Sequence, residues 1–169
     1  DGMLFVTLGE RSDRETRPQA QDLDSHLGKV LRINPTGEVP ADNPFIGQLG
    51  ARQEIWSLGH RNVQAAAFDS KGQLWVVEMG ARGGDELNLI EKGKNYGWPL
   101  VSEAPNYSGI PIPNFDTRPD LAAPVVYWTP VVAPGNLMFY RGTQTFPPGK
   151  GNGFITDMGT RSLKSFIGD

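Results

Sequence analysis

The chain contains no cysteine, which excludes disulfide bonds and thiolate metal sites. It has no run of about 18 apolar residues, so no transmembrane helix is predicted. No stretch of about 12 residues shows a helical period, which argues against a helical fold. The net charge is only −3, so neither nucleic acid nor an anionic membrane surface is an expected partner.

Turn-forming residues, by contrast, are abundant. The 169 residues include 21 glycines and 14 prolines, a proportion that favours many turns over long helices. Short apolar runs of strand length alternate with turn segments. These runs are residues 3–8, 29–33, 73–77, 87–90, 125–128, 137–140 and 153–156. The pattern predicts an all-β domain that is large enough to bury a core.

One sequence pattern occurs three times. It reads "MLFVTLG", "LWVVEMG" and "GFITDMG", and its final glycines lie 71 and then 79 residues apart. Each copy is followed, after a loop of variable length, by a second strand-like segment. Repeated units of a few strands are typical of β-propeller blades; a β-sandwich with three strands alike by chance is the alternative. The predicted blade-like units lie near residues 1–45, 46–100 and 120–169.

Two to three blades do not close a ring, because closed propellers have at least about four. An open arrangement would leave edge strands exposed. The chain also begins Asp1-Gly2, without an initiator methionine or a signal peptide. We therefore expect a single partial propeller domain. It is either a piece of a longer protein or one half of a homodimer that completes the ring.

Two polar clusters flank a predicted hairpin over residues 65–77. Arg61 and Asn62 precede the hairpin, and Asp85 and Glu86 follow it. In a propeller, the loops that leave the inner strands surround a central channel where ligands bind. A guanidinium group beside amides suits a planar ligand with carboxylates and carbonyls, and a glycine-rich turn beside carboxylates suits Ca²⁺. Spacing alone equally allows a structural Arg61–Asp85 ion pair, with Asp85 and Glu86 capping a turn.

The order of motifs resembles that of one family, the soluble PQQ-dependent glucose/sorbosone (aldose sugar) dehydrogenases. The motifs are "LGHRNVQ", "VVEMG", "GGDELNLIEKGKNYGWP" and "TPVVAPGNLMFY", preceded by a similar upstream segment over residues 28–45. The resemblance covers nearly the whole chain, but only the middle and later part of a six-bladed family member. It implies a periplasmic or secreted enzyme that oxidises aldose sugars to lactones. PQQ would be its non-covalent electron acceptor, held through Ca²⁺, and a further acceptor would take up the electrons.

The resemblance also implies which residues contact the cofactor. Arg61 and Asn62 match residues that contact the quinone, and Asp85 matches an acidic residue close to that site. In the implied mechanism a general base removes the proton of the sugar hydroxyl while a hydride passes to the quinone. Arg61 and Ca²⁺ then stabilise the developing oxyanion.

Two calcium ions are implied in the same way. Gly80 and Ala81 match the pair whose backbone carbonyls bind the cofactor's calcium. Glu86 and the carbonyl of Tyr96 match ligands of a second, structural calcium. Carbonyl and carboxylate oxygens are the ligands that this hard cation prefers.

The chain departs from the family pattern at several positions. The family's catalytic base is a histidine upstream of "MLFVTLG", which this chain does not reach, so we expect little turnover from the chain alone. Glu10 occupies the place of an acid that orients this base. Val131 replaces a hydroxyl residue near the cofactor, and Gly159 or Thr160 replaces a cofactor-binding lysine. Met79 replaces an amide beside the calcium carbonyls.

Three further residues have expected positions. His26 is predicted to lie in a surface loop, and His60 is predicted to orient the turn that carries Arg61. Lys164 is a candidate substitute for the missing lysine, although strand alternation assigns it to an outer strand.

Three functions stay open on this basis. The first is a fragment of an aldose dehydrogenase that retains part of the PQQ and Ca²⁺ site. The second is a non-catalytic, calcium-binding propeller module for carbohydrate or protein, which the departures at Val131 and Gly159 favour. The third is a Ca²⁺-dependent lactone hydrolase that uses Asp85 or Glu86, which the motif order opposes.

Overall fold

The computed structural model describes residues 2–142 and 149–167, and within them the regular structure is almost entirely β. Two short 3-10 helices, Arg17–Ala20 and Phe115–Thr117, are the exceptions. The strands are β1 (Leu4–Leu8), β2 (Lys29–Ile33), β3 (Ile55–Leu58), β4 (Val63–Phe68), β5 (Leu74–Glu78), β6 (Asp85–Ile90), β7 (Val126–Trp128), β8 (Pro134–Phe139), β9 (Gly153–Asp157) and β10 (Leu163–Phe166). The predicted all-β class is confirmed.

The strands form three antiparallel sheets in which chain neighbours are also sheet neighbours. The sheets are β1–β2–β3, β4–β5–β6–β7 and β8–β9–β10. The second sheet has the four strands of a complete propeller blade. The three copies of the repeated pattern are β1, β5 and β9, and each pairs with the strand that follows it. The sheets extend over residues 4–58, 63–128 and 134–166, so the first two run beyond the predicted unit ends near 45 and 100.

Side-chain alternation on β5 joins the three sheets. Trp75 and Val77 pack on one face against Leu137 and Ile155 of the third sheet. Val76, on the opposite face, packs together with Val30 of the first sheet. Both faces of β5 are therefore buried, which explains why its sequence is a continuous apolar run without alternation. Face-to-face stacking of successive sheets is the packing of propeller blades.

The first strand of the second sheet differs from β5. In β4 half-buried and exposed residues alternate, with Gln64, Ala66 and Phe68 exposed. This strand lies against β8, the first strand of the third sheet. Both β4 and β8 keep exposed residues.

β1 and β10 are among the strands that lie at sheet edges with one neighbour each. They expose apolar side chains, with Leu4 50% and Leu163 63% exposed. The homodimer that would cover such edges stays a prediction. Across the described ranges, none of the helices has the length and apolar character needed to cross a bilayer.

Candidate functional site

Two turns meet at one end of the β4–β5 hairpin. One joins β3 to β4 and carries His60 to Asn62, and the other leaves β5 at Met79. The Met79 N–H donates to the carbonyl of Asn62 at 3.0 Å, and Nη1 of Arg61 donates to the carbonyl of Met79 at 2.8 Å. The turn that carries Arg61 and Asn62 therefore lies directly against the start of the turn that leaves β5.

Arg61 is held rigidly in this corner. Its guanidinium carbon lies 5.3 Å from the ring centre of Trp98 and 5.5 Å from that of Tyr107, distances at which a cation is attracted to the ring. Nη2 donates to the Tyr107 hydroxyl at 3.0 Å. Its Nε is buried and has no hydrogen-bond partner. Only 5% of Arg61 is exposed. The site therefore contains a buried cation with an unused hydrogen-bond donor.

A buried polar cluster lies behind Arg61. Nδ1 of His60 is 3.0 Å from Oε1 of Glu78, and Nε2 is 2.8 Å from the hydroxyl of Ser57. The second Glu78 oxygen accepts the backbone N–H of Arg61 at 2.8 Å. His60 also stacks on Tyr96, with 4.7 Å between ring centres. His60 therefore orients the turn, as predicted, with Glu78 as its main partner.

This Ser57–His60–Glu78 arrangement has the order of a nucleophile, base and acid. However, Ser57 and His60 are completely buried, so no substrate carbonyl reaches the hydroxyl. The cluster is structural. Sequence reasoning missed Ser57 and Glu78, because both lie inside strands that read as ordinary apolar segments.

Asp85 closes the turn after β5. One oxygen accepts the N–H of Gly80 at 2.9 Å, and the other accepts the N–H groups of Val132 and Ala133 at 2.7 and 2.8 Å. Arg61 is absent from these contacts, so the alternative of an Arg61–Asp85 ion pair is wrong. The capping role is confirmed, and it also ties β6 to the third sheet. A contact of Asp85 with a cofactor stays a prediction.

The glycine-rich turn has a backbone that only glycine permits. Gly83 and Gly84 have φ values of 94° and 67°, the left-handed region that side chains disfavour. A Cβ atom on Gly80 would lie 2.0 Å from the carbonyl oxygen of Gly83. The carbonyls of Gly80 and Ala81 accept no hydrogen bond from any described residue. Two free carbonyls in a fixed turn are suitable cation ligands.

A second acidic cluster lies beneath this turn. Asn88 Nδ2 donates to Glu78 at 3.0 Å and to Glu86 at 3.1 Å, while its Oδ1 is buried without a partner. Burial and the neighbouring Glu78 charge raise the pKa of Glu86 well above its ordinary value. For Glu78, burial opposes ionisation, but the attraction of His60 and the hydrogen bonds lower its pKa. A small cavity lined by Glu78, Glu86, Tyr96 and Ser102 adjoins the pair.

Side-chain ligands alone are few. In residues 2–142 and 149–167, no three or more His, Cys, Asp or Glu side chains converge in a group suited to a metal ion. A cation at either of the predicted positions would therefore depend on backbone carbonyls as well as on Glu86.

Two other polar residues border the site. Asn62 is half-buried and lies beside Gly9. Glu10 is fully buried: its Oε2 accepts the Ser12 N–H at 2.8 Å, and its Oε1 has no partner. Burial raises the pKa of Glu10, although the nearby Arg61 and Arg17 charges partly offset the rise.

Two of the departures from the family pattern, at Val131 and Gly159, lie near the third sheet. Val131 is 49% exposed. A Cβ atom on Gly159 would lie 2.7 Å from the Val132 carbonyl oxygen, so a lysine at this position would require the turn to shift.

Lys164 belongs to β10, as predicted, and its Nζ lies 3.3 Å from Oδ2 of Asp157. His26 lies in a loop and contacts Glu54 at 2.5 Å.

Comparisons with a family model, with known relatives and with solved structures agree with one another. The family model described as Glucose / Sorbosone dehydrogenase matches residues 1–168. Aldose sugar dehydrogenase YliI of Escherichia coli (strain K12) is 47% identical over 151 residues, which are 86% of this chain and 39% of the relative.

Two solved structures have the same fold. The soluble aldose sugar dehydrogenase from Escherichia coli in the apo-form has a TM-score of 0.88 and 40% identity, covering 100% of this chain and 48% of that one. The PQQ-bound form of aldose sugar dehydrogenase from Streptomyces coelicolor has a TM-score of 0.69 and 29% identity, covering 97% and 45%. The present chain spans less than half the length of each of these relatives. It belongs to the glucose/sorbosone dehydrogenase family.

Proposed function

We propose that this chain forms part of a PQQ- and Ca²⁺-dependent aldose dehydrogenase. The reaction is oxidation of the anomeric carbon of an aldose to a lactone, with electrons passed on to a further acceptor, in the periplasm or outside the cell. The observation that supports this best is the buried Arg61 guanidinium, clamped between Trp98 and Tyr107 at the rim of the hairpin. The related structure from Streptomyces coelicolor is a PQQ-bound form.

The residues at this corner fit the chemistry of a quinone with carboxylates. Arg61 hydrogen-bonds to a carbonyl and a hydroxyl, and no carboxylate among the described residues neutralises it by a hydrogen bond. An anionic planar ligand would supply that charge, and a buried guanidinium binds carboxylates strongly. Asn62, on the same turn, adds an amide.

The residues also fit two calcium ions. The free carbonyls of Gly80 and Ala81 would hold the ion that contacts the cofactor. Glu86, with the carbonyl of Tyr96, would hold the second. Two carboxylates as close as those of Glu78 and Glu86 repel each other in a buried setting, and a divalent cation removes that cost. The unpartnered Asn88 Oδ1 supports the same interpretation.

Each residue of the candidate site would have a distinct role in the reaction. Bound PQQ would accept the electron pair, with Ca²⁺ polarising its carbonyl. Arg61 places a fixed positive charge where oxyanion character develops, in a site from which water is largely excluded. Trp98 and Tyr107 fix the plane of its guanidinium, and Glu78 fixes its backbone. Asp85 holds the turn that presents the calcium-binding carbonyls.

An absorbance titration of the purified protein with PQQ, with and without Ca²⁺, tests the proposal. We expect calcium-dependent binding. Replacing Arg61→Ala should weaken binding by about tenfold or more, because a buried charge-assisted pair contributes roughly 1.5–3 kcal/mol. Arg118→Ala is the matched control, since Arg118 forms an exposed ion pair with Asp120.

The outcome separates the candidate functions. Equal PQQ affinity in the wild type and in Arg61→Ala would contradict the assignment of Arg61. Calcium binding without any PQQ binding would favour the non-catalytic module instead, which the departures at Val131 and Gly159 support. Asp85 accepts three backbone N–H groups, which gives no support to a hydrolase that would use this carboxylate as its base.

A further inference from the structure

A second cleft adjoins the candidate cofactor corner. Its lining consists of Arg14, Arg17, Asn106, Tyr107, Ser108 and Ile110. Tyr107 belongs to both places, because its hydroxyl accepts the hydrogen bond from Arg61 while its ring borders the cleft. The cleft therefore begins one side chain away from the proposed quinone position.

Arg17 is a fixed part of this cleft. Its Nη1 donates to Oδ1 of Asn106 at 2.9 Å, and its guanidinium carbon lies 5.3 Å from the ring centre of Trp98. Its Nε is buried and has no hydrogen-bond partner. Trp98 thus supports two guanidinium groups, those of Arg17 and Arg61. Holding two cations on one ring has an electrostatic cost that a bound anion would relieve.

The charges around the cleft are unbalanced. Two arginines line it, and no carboxylate does. Of the acids near these arginines in the sequence, Glu10 accepts the Ser12 N–H, Asp13 accepts the Glu15 N–H, and Glu15 is exposed to solvent. Burial also disfavours the ionised form of Glu10, whose pKa is raised. The cleft is accordingly suited to an anionic group.

The remaining lining suits a saccharide. Tyr107 is 62% exposed, so its ring face is available for stacking on the C–H groups of a sugar. The exposed hydroxyl of Ser108 adds a hydrogen-bonding group at the mouth. Anion-binding guanidinium groups beside an exposed aromatic ring are the chemistry of acidic sugar recognition.

We propose that this cleft binds the carboxylate of an acidic saccharide, with Arg14 and Arg17 as its ligands and Tyr107 as the stacking surface. The inference rests on the proposed function for the role of the site, since it places an acidic sugar beside the quinone position. The substrate class is then uronic acids, or saccharides that carry one. The same carboxylate chemistry could come from the cofactor, and the test separates these sources.

The test compares D-glucuronate with D-glucose, which differ only at C6, by calorimetric titration of the purified protein. We expect glucuronate to bind about tenfold more tightly at low salt, the size of one charge-assisted hydrogen bond. Arg14→Gln and Arg17→Gln should each abolish most of this difference. Arg14 is exposed, so its replacement keeps the test valid if Arg17→Gln disturbs folding. Arg118→Gln is the control.

A PQQ titration of the same variants identifies the source of the carboxylate. Unchanged PQQ affinity in Arg14→Gln and Arg17→Gln supports the saccharide assignment. Loss of PQQ affinity in both variants would overturn it and assign the cleft to the cofactor. Equal binding of glucuronate and glucose by the wild type would also overturn it. If glucuronate binds preferentially but PQQ does not bind at all, the cleft stands and the proposed function fails.

Discussion

At the scale of single residues, Glu78 has the widest influence on the candidate site. Its two oxygens contact His60, the backbone of Arg61 and Asn88. The sequence shows Glu78 only as one polar residue in the apolar run of β5. Its importance follows from its position at the buried end of that strand, where three segments of chain converge.

We expect Glu78→Gln to lower both stability and PQQ affinity. A buried charged acceptor lost from three donors costs roughly 1–3 kcal/mol in unfolding free energy, and the Arg61 turn loses its anchor. Thermal unfolding and PQQ titration of the folded protein measure the two effects.

The matched control is Asp69→Asn. Asp69 is also buried and accepts hydrogen bonds from the N–H groups of Lys71 and Gln73 and from Trp75 Nε1. It should lower stability without changing PQQ affinity. If both variants lose stability and neither loses affinity, Glu78 has only a structural role.

At the scale of secondary-structure elements, Lys29 joins β2 to the segment that contains the first 3-10 helix. Its ammonium group donates to the carbonyls of Gln19, Ala20 and Leu27 at 2.7–3.0 Å. The side chain is completely buried. Burial lowers the pKa of Lys29 to about 8, although Asp22 and Asp24 partly counteract this.

This pKa predicts a pH-dependent stability. Between pH of about 8 and 10.5 the unfolded chain holds the lysine proton and the folded protein has lost it. The unfolded state therefore binds more protons in this window, and the contribution of Lys29 to stability rises with pH, by about 3 kcal/mol. Urea unfolding of the wild type and Lys29→Met at pH 7 to 10 should show this gain in the difference between the two proteins.

The exposed Lys71 offers a control, because Lys71→Met also removes a lysine but leaves the buried contacts of Lys29 intact. A constant difference between wild type and Lys29→Met across the range would contradict the lowered pKa of Lys29. The tyrosines and the other lysines are present in both proteins, so their contributions to the unfolding free energy cancel in the comparison.

At the scale of the whole molecule, the edge strands of the three sheets include β1 and β10, which expose apolar side chains. Their exposed backbone and apolar side chains are a pairing surface, and a two-fold dimer would place one edge against the other. We expect this chain, expressed alone, to sediment as a dimer. Val6→Lys and Leu163→Lys should shift it towards the monomer, whereas Lys71→Met should not. A monomeric mass with one cooperative unfolding transition would contradict this expectation.

Strand existence and the repeat could be predicted from the sequence, because short apolar runs and turn residues are local properties. The same applies to the pairing of β1, β5 and β9 with the strands that follow them. The strand β3 was missed: its four residues, "IWSL", are too short to show alternation, and it follows a long loop. Where each sheet ends is not a local property, because β3 and β7 join their sheets after long excursions.

The sequence by itself determined the fold class, the turn chemistry and the residue types at the rim of the hairpin. These properties depend on neighbours along the chain. Glycines occur where φ must be positive, and apolar runs occur where both faces of a strand are buried. Only the tertiary structure decided which polar groups meet. Asp85 pairs with backbone groups rather than with Arg61, and Glu78 unites His60 with the Arg61 turn. Such contacts join residues far apart in sequence, and their energies depend on burial, which no local pattern records.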